Sequence, residues 1–235
     1  MKINYSILCI LATLFLTVNI NANTDDNPLD TSIILRNASE HIAGNCANEV
    51  KKWLRITKEW GEYDSLFAES HGLRLLDFGF FNINEDQFAA ALVGCCGNGE
   101  FILMDSANLT NVVNRINVNI PGYHANFGGL IDANKDGVKE MIIYLSAGAH
   151  GMYLYLLSIE RDSIRFITNR YRDKDVYEFY GSSSVDIRDS DGDGYYEIEA
   201  VDRESATIDK IDTYTWDGAK FKITKTRVKD YKQEK

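Results

Sequence analysis

Proline is scarce in this sequence: it occurs twice in 235 residues, whereas tyrosine occurs 13 times. Linkers and disordered chains are rich in proline and poor in aromatic residues. The composition therefore excludes both and favours an ordered domain that is rich in strands.

Catalytic signatures are also lacking. The chain has no glycine-flanked nucleophilic serine, no zinc-binding histidine pair and no glycine loop of the kind that cradles phosphate. Of its four histidines only His150 has a suggestive position, at a glycine-rich turn between two strand patterns. A histidine at a hairpin tip is normally a solvated turn residue, so we predict no catalytic residue.

Basic residues are outnumbered: 25 lysines and arginines face 35 aspartates and glutamates, which gives a formal net charge of −10. This balance argues against nucleic acid and anionic membranes as partners, because both repel an acidic surface. It suits a protein that collects divalent cations.

One long apolar run is present, at the start of the chain. Met1 and Lys2 form a short basic lead, "YSILCILATLFLTVNI" follows, and small and polar residues then offer a cleavage point after Ala22. The run is short for a membrane span. We predict that residues 1–22 are a signal peptide and that the mature protein has no membrane span. It would be exported to the periplasm or the extracellular space.

Three cysteines follow this segment: Cys46, Cys95 and Cys96. Export permits a disulfide, but adjacent cysteines rarely bond to each other because the ring is strained. On a strand their side chains point to opposite faces. We therefore predict one disulfide, from Cys46 to either Cys95 or Cys96.

The region before the β patterns, residues 23–71, is predicted to be helical and connecting. Residues 39–55 fit a helix that Ser39 caps. The apolar positions of this helix fall on one stripe; they are Ile42, Cys46, Val50, Trp53 and Leu54.

The rest of the chain, residues 72–235, repeats one pattern. Polar, acid-rich loops start at Asn82, Asp132 and Asp189, and each precedes a short apolar strand. Three further strand patterns separate one loop from the next. One of them is "SIRFITNRY", residues 163–171, which we expect to form a single strand. Four strands per period is typical of propeller-like or stacked-sheet arrays.

Two of these loops have the ligand pattern of a calcium site. Calcium takes six to eight oxygen ligands, and alternate residues of a tight loop can turn their oxygens inward. In the Asp189 loop the predicted ligands are Asp189, Asp191, Asp193, the Tyr195 carbonyl and Glu197, with Gly194 at the sharp turn. In the Asp132 loop they are Asp132, Asn134, Asp136, the Val138 carbonyl and Glu140, with Gly137 at the turn.

These loops are not helix–loop–helix calcium hands. Such a hand needs a glutamate at its twelfth position, where this chain has Ile143 and Ala200. The acid at the ninth position, followed by alternating apolar residues, indicates that a strand leaves each loop. The Asn82 loop is degenerate: Asn82, Asn84 and Asp86 remain, but Gln87 and Ala90 replace the glycine and the closing acid.

Acid-rich loop followed by apolar strand resembles the FG-GAP or VCBS repeats of integrin-type β-propellers, over residues 73–228. The closing "YTWDGAKFKI" is similar to a hairpin that often ends exported bacterial members of this group. The resemblance implies four-stranded antiparallel blades that bind calcium in these loops. Family propellers usually have seven blades and this chain holds about three, so we expect a mainly β fold with a partial or open propeller.

Two functions follow as expectations. The first is an exported calcium-binding β-repeat protein with structural calcium, which interacts with a protein or glycan partner and can associate through an open sheet edge. Aromatic residues for a ligand face would be Trp60, residues 176–180, Tyr195, Tyr196 and Trp216. The alternative is a secreted hydrolase that acts on polysaccharide or cell-wall material through loop carboxylates.

Overall fold

A computed structural model describes residues 31–57, 72–83, 85–95, 97–121, 124–148, 151–160 and 162–232. The predicted signal peptide, Trp60 and His150 lie outside these ranges. The described chain is mainly β, as predicted, with antiparallel sheets of which one is curled into a half-barrel.

Two helices precede the strands: α1 (Thr31–Arg36) and α2 (Glu40–Thr57). The prediction of a helix over residues 39–55 is confirmed, and Ser39 caps it, since its hydroxyl accepts a hydrogen bond from the Ile42 N–H at 3.4 Å. The buried carboxylate of Glu100 accepts the Ser39 N–H at 3.0 Å. This contact joins the start of α2 to the sheet beneath it.

Sheet A is a four-stranded antiparallel meander in the order β1-β2-β3-β4. Its strands are β1 (Arg74–Ile83), β2 (Asp86–Cys95), β3 (Asn98–Asp105) and β4 (Val112–Val118). β2 and β3 are almost continuously buried, because both faces of the sheet are covered. The unbroken apolar run "FAAALVG" suits such a strand.

Sheet B contains a second antiparallel meander. Its strands are β5 (His124–Ile131), β6 (Lys139–Ser146), β7 (Met152–Glu160) and β8 (Ser163–Phe166). A later strand, β11 (Glu178–Gly181), also pairs with β7, beside the first half of that strand, whereas β8 pairs with its second half.

Sheet C has six strands in the order β10-β9-β15-β14-β13-β12. Four of them form a third antiparallel meander: β12 (Ser184–Arg188), β13 (Glu197–Ser205), β14 (Ile208–Trp216) and β15 (Phe221–Asp230). The other two are β9 (Asn169–Tyr171) and β10 (Lys174–Val176), and β9 pairs with β15 in parallel.

The sheets are stacked with helices on one side. One buried cluster joins sheets A and B, and a second joins sheet B to sheet C. The opposite face of sheet A packs against α1 through Ile34. Sheet B therefore contributes to both of the large cores.

The structure resolves two points that the sequence pattern left open or missed. Cys46 on α2 is bonded to Cys95 at the end of β2, with the two Cα atoms 5.7 Å apart. The stretch 163–171, expected to be one strand, is divided between β8 of sheet B and β9 of sheet C. Ile167 lies at the division, and its N–H donates to the Leu156 carbonyl of β7.

Candidate functional site

The two predicted calcium loops occupy equivalent places in two meanders. The Asp132 loop joins the first strand of the second meander, β5, to β6, and the Asp189 loop joins β12 to β13. In the first meander, Ile83 of β1 pairs directly with Asp86 of β2, so no nine-residue loop separates these strands. Asn84 of the degenerate pattern lies outside the described residues.

The first acid of each loop folds back over the loop. The Asp189 carboxylate accepts a hydrogen bond from the Gly194 N–H at 2.9 Å. Asp132 accepts one from the Gly137 N–H at 3.1 Å. Both bonds span five residues and turn one side-chain oxygen toward the backbone of the loop.

The last acid of each loop is held in the same way. Glu197 Oε2 accepts the Ser190 N–H, and Glu140 Oε2 accepts the Ala133 N–H, both at 2.8 Å. These glutamates are the first or second residues of β13 and β6. Each strand therefore begins with a carboxylate that closes the loop before it.

The middle positions also correspond. In each loop an N–H donates to a side chain two residues earlier, which is a common turn motif of Asp and Asn. These bonds are Asp136 to Asn134, Val138 to Asp136, Asp193 to Asp191 and Tyr195 to Asp193. Four bonds are therefore common to two loops that lie 57 positions apart.

The backbone conformations correspond as well. Gly137 and Gly194 have positive φ angles of 85° and 84°, which glycine adopts without the steric cost of a Cβ. Lys135 has a φ of 56° at the place where the other loop has Gly192, with 77°. A side chain with this strained backbone occurs in only one of the loops.

Two oxygens of the Asp132 loop are buried without a hydrogen-bond partner. They are Asp132 Oδ1 and Glu140 Oε1, among the few such side-chain atoms in the described residues. The Glu140 side chain has no exposed surface. A buried oxygen without a partner is costly, and a bound cation is one way to satisfy such an atom.

The electrostatics of Glu140 support this interpretation. The pKa of its carboxyl is raised to about 7, chiefly by burial, and the negative charges of Asp136 and Asp132 contribute in the same direction. The hydrogen bond from Ala133 and the charge of Arg165 act in the opposite direction. Without a cation, this carboxylate is therefore poorly stabilised in its charged form.

The Asp189 loop has the denser cluster of carboxylates. Oxygens of Asp189, Asp191 and Glu197 all lie within 4.8 Å of one another, the only such group of three acids, histidines or cysteines in the described chain. The acids of the Asp132 loop do not form a group this close. In the Asp132 loop, Asn134 stands where Asp191 stands here, so that loop has one charge fewer. Hard oxygen ligands of this kind suit calcium.

The two loops contact each other. The Tyr196 N–H donates to the Ala133 carbonyl at 3.1 Å. The Lys135 ammonium donates to the Asp193 carbonyl and lies 4.4 Å from the centre of the Tyr195 ring. The sequence pattern did not predict this contact, whose one signal is a lysine in an otherwise acidic loop.

A pocket of about 530 Å³ adjoins the Asp132 loop. Residues 165–168 form one wall and the β14–β15 hairpin another; the lining includes Asn134, Asp136, Arg165 and Trp216. Within the part of the chain that the structure describes, the Arg165 side chain makes no hydrogen bond or ion pair. The pocket thus combines predicted metal ligands with the guanidinium of Arg165 and the indole ring of Trp216.

The other aromatic candidates differ in exposure. Tyr177 and Tyr195 are about half exposed. Tyr180 is partly exposed and packs against Tyr153, while Tyr196 packs against the core between sheets B and C. Residues 176–180 also contribute to the strand pairing of sheets B and C.

Comparison with known proteins gives no relative: the chain matches no family model, no curated protein and no solved structure. Within the described ranges, neither helix is long and apolar enough to cross a membrane.

Proposed function

We propose that this protein is an exported calcium-binding β-repeat protein in which calcium stabilises the stack of sheets. The ligands are Asp132, Asn134, Asp136, Glu140 and the Val138 carbonyl in one loop. In the other loop they are Asp189, Asp191, Asp193, Glu197 and the Tyr195 carbonyl.

The observation that carries the proposal is the orphaned pair of buried oxygens, Asp132 Oδ1 and Glu140 Oε1. A nearly identical hydrogen-bond pattern in the Asp189 loop, together with its cluster of three carboxylates, supports a second site of the same kind. Calcium suits both sites because it accepts oxygen ligands in a flexible geometry.

We also propose that the three meanders are propeller-type blades of the FG-GAP or VCBS kind, in a partial or open array. The support is the order of elements. Each of three consecutive chain segments forms an antiparallel four-stranded meander, and the calcium loops lie between the first and second strands of two of them.

Calcium binding is tested by thermal unfolding and by calorimetric titration. Wild type is melted in EDTA and in millimolar calcium, beside Asp132→Asn, Asp189→Asn and the double variant. Asparagine retains an acceptor for the Gly137 and Gly194 N–H groups, so loss of the calcium response would reflect lost charge. Asp173→Asn is the matched control, because the Asp173 side chain is fully exposed.

Wild type should bind two calcium ions and gain about 2.7 kcal/mol of stability per site at a hundredfold excess over Kd. Each single variant should lose one ion and the double variant both, whereas the control should behave as wild type. Absence of bound calcium and of a thermal shift in wild type would overturn the proposal.

We propose the pocket beside the Asp132 loop as the site of the interaction role, because its size is typical of ligand sites. Arg165 and Trp216 are the groups there that suit a protein or glycan partner. A pull-down with the mature protein from its own envelope or growth medium, repeated with the surface variant Arg165→Glu, tests this role. A partner retained equally by both proteins would not use this pocket.

The alternative of a hydrolase has less support. It requires two carboxylates without partners in a cleft away from the calcium loops. The larger pocket, about 800 Å³ on the outer face of sheet C, contains Asp209, but Arg203 and Tyr231 bind this carboxylate at 3.0 and 2.8 Å. Nothing else in the described residues favours catalysis.

A further inference from the structure

The contact between the two acidic loops has a functional consequence if both bind calcium. Ala133 lies between the predicted ligands Asp132 and Asn134, and Tyr196 lies between the predicted ligands Tyr195 and Glu197. The hydrogen bond from the Tyr196 N–H to the Ala133 carbonyl therefore joins the ligand-bearing backbone of one site to that of the other.

Lys135 makes a second link. Its side chain leaves the Asp132 loop and reaches across to the Asp193–Tyr195 segment, where its ammonium binds the Asp193 carbonyl and lies over the Tyr195 ring. A Cβ on Gly194 would lie 2.5 Å from Lys135 Cε. The lysine chain thus occupies the space beside the sharp turn of the Asp189 loop.

The backbone of Lys135 supports a specific role. Its φ of 56° is one that glycine, asparagine and aspartate adopt more readily than lysine. The Asp189 loop has a glycine at the equivalent position, Gly192. The lysine is less favourable for the loop in which it lies, and its contacts are with the other loop.

We propose that the two calcium sites are positively coupled and that Lys135 is the positioning residue that links them. The inference rests on the proposed calcium function. Ordering the Asp132 loop around its ion holds Ala133 and Lys135 in place, and these in turn hold the backbone of the Asp189 loop in its binding conformation. The second ion then binds to a loop that is already ordered, so that less conformational entropy is lost in this step.

Repulsion between the two bound ions acts against this coupling. Each ion is, however, surrounded by carboxylates, and salt screens charges over about 8 Å at physiological ionic strength. The backbone bond from Tyr196 to Ala133 joins uncharged groups and does not weaken in this way. We therefore expect the positive contribution to exceed the repulsion, and more clearly so at higher salt.

The coupling is measured by calorimetric titration with calcium alone. Asp189→Asn combined with Glu197→Gln isolates the Asp132 site, and Asp132→Asn combined with Asp136→Asn isolates the Asp189 site. The product of the two wild-type association constants, divided by the product of the two isolated constants, is the coupling factor. Measured couplings between sites commonly lie between about 5- and 150-fold, and we expect about fivefold here.

Lys135 is tested by a charge-removing and a charge-retaining variant in the same cycle. Lys135→Asn keeps a residue that tolerates the positive φ but removes the ammonium, and should lower the coupling factor toward one. Lys135→Arg keeps a cation of similar reach and should restore most of it. Lys135 is exposed, so neither change should affect folding, which circular dichroism checks.

The outcomes separate the two proposals. The linkage would be supported if wild type binds two ions with a coupling factor well above one. Lys135→Asn should then reduce this factor, and Lys135→Arg should restore it. Two bound ions with a factor of one, or a factor that Lys135→Asn leaves unchanged, would overturn the linkage and leave the calcium function intact. A wild-type protein that binds no calcium would overturn both.

Discussion

Glu140 is the second residue of β6 and also closes the Asp132 loop, and both positions determine its chemistry. It is fully buried, one oxygen accepts the Ala133 N–H, and the other has no partner in the described structure. Asp132 and Asp136 add negative charge nearby. Such a residue destabilises the metal-free fold, and this is the reason for proposing a cation at the free oxygen.

The pH dependence of the metal-free protein tests this account of Glu140. The folded-state pKa of about 7 is above the ordinary value of 4.5, so the folded state binds more protons between these pH values. In EDTA, the stability associated with this group should be complete below about pH 4.5 and should be lost as the pH rises through 7. The loss should be on the order of 3 kcal/mol, since one pKa unit corresponds to about 1.4 kcal/mol.

Glu140→Gln isolates this contribution, because glutamine has no charge to lose. The difference in free energy of unfolding between wild type and variant, measured by urea titration in EDTA, should favour the variant increasingly from pH 5 to 7.5. Glu160→Gln, at an exposed site near the end of β7, is the control. A difference that does not change with pH would contradict the buried, uncompensated carboxylate.

At the scale of elements, the disulfide joins the main helix to a buried strand. Cys46 is a core-facing residue of α2, and Cys95 ends β2, 49 positions later. Glu100 also binds the N–H of Ser39 at the start of α2 and pairs with Arg115. The disulfide at Cys46 and the buried carboxylate of Glu100 at the start of α2 together hold this helix on sheet A.

Removal of this disulfide should lower stability by about 2–4 kcal/mol, mainly because the unfolded chain gains freedom. Cys46→Ala and Cys95→Ala are compared with the double variant by urea unfolding. Since both single changes remove the same bond, the double variant should be only slightly less stable than either single variant. Peptide mapping that pairs Cys46 with Cys96 would show the assignment to be wrong.

At the scale of the whole molecule, sheet B connects the two large cores. Phe101 is buried between sheets A and B, and Phe179 is buried between sheets B and C. Damage to one interface should therefore be transmitted through sheet B to the other. The described chain should unfold as one cooperative unit rather than sheet by sheet.

Phe179→Ala tests this cooperativity, with Phe101→Ala as its counterpart in the other core. Each should cost about 3–5 kcal/mol, and each should speed the exchange of the slowest backbone amide hydrogens in all three sheets, as measured by mass spectrometry. Faster exchange restricted to sheet C in Phe179→Ala would indicate that the sheets open independently.

The features that the sequence determined by itself are local ones. The recurrence of short apolar segments between polar loops predicted a mainly β fold with antiparallel strands. The spacing of acids and glycines predicted both loops, since their turns depend on bonds between residues at most seven positions apart. The Ser39 cap and the helix after it followed from neighbouring residues for the same reason. A disulfide from Cys46 was predicted, although the sequence left its partner open.

The tertiary structure decided what depends on distant parts of the chain. It selected Cys95, divided residues 163–171 between two sheets, and paired β9 in parallel with β15. It also brought Lys135 to Asp193, 58 positions later. Such contacts depend on how separate sheets stack, and the stacking follows from burial shared by the whole molecule rather than from the preferences of any short segment.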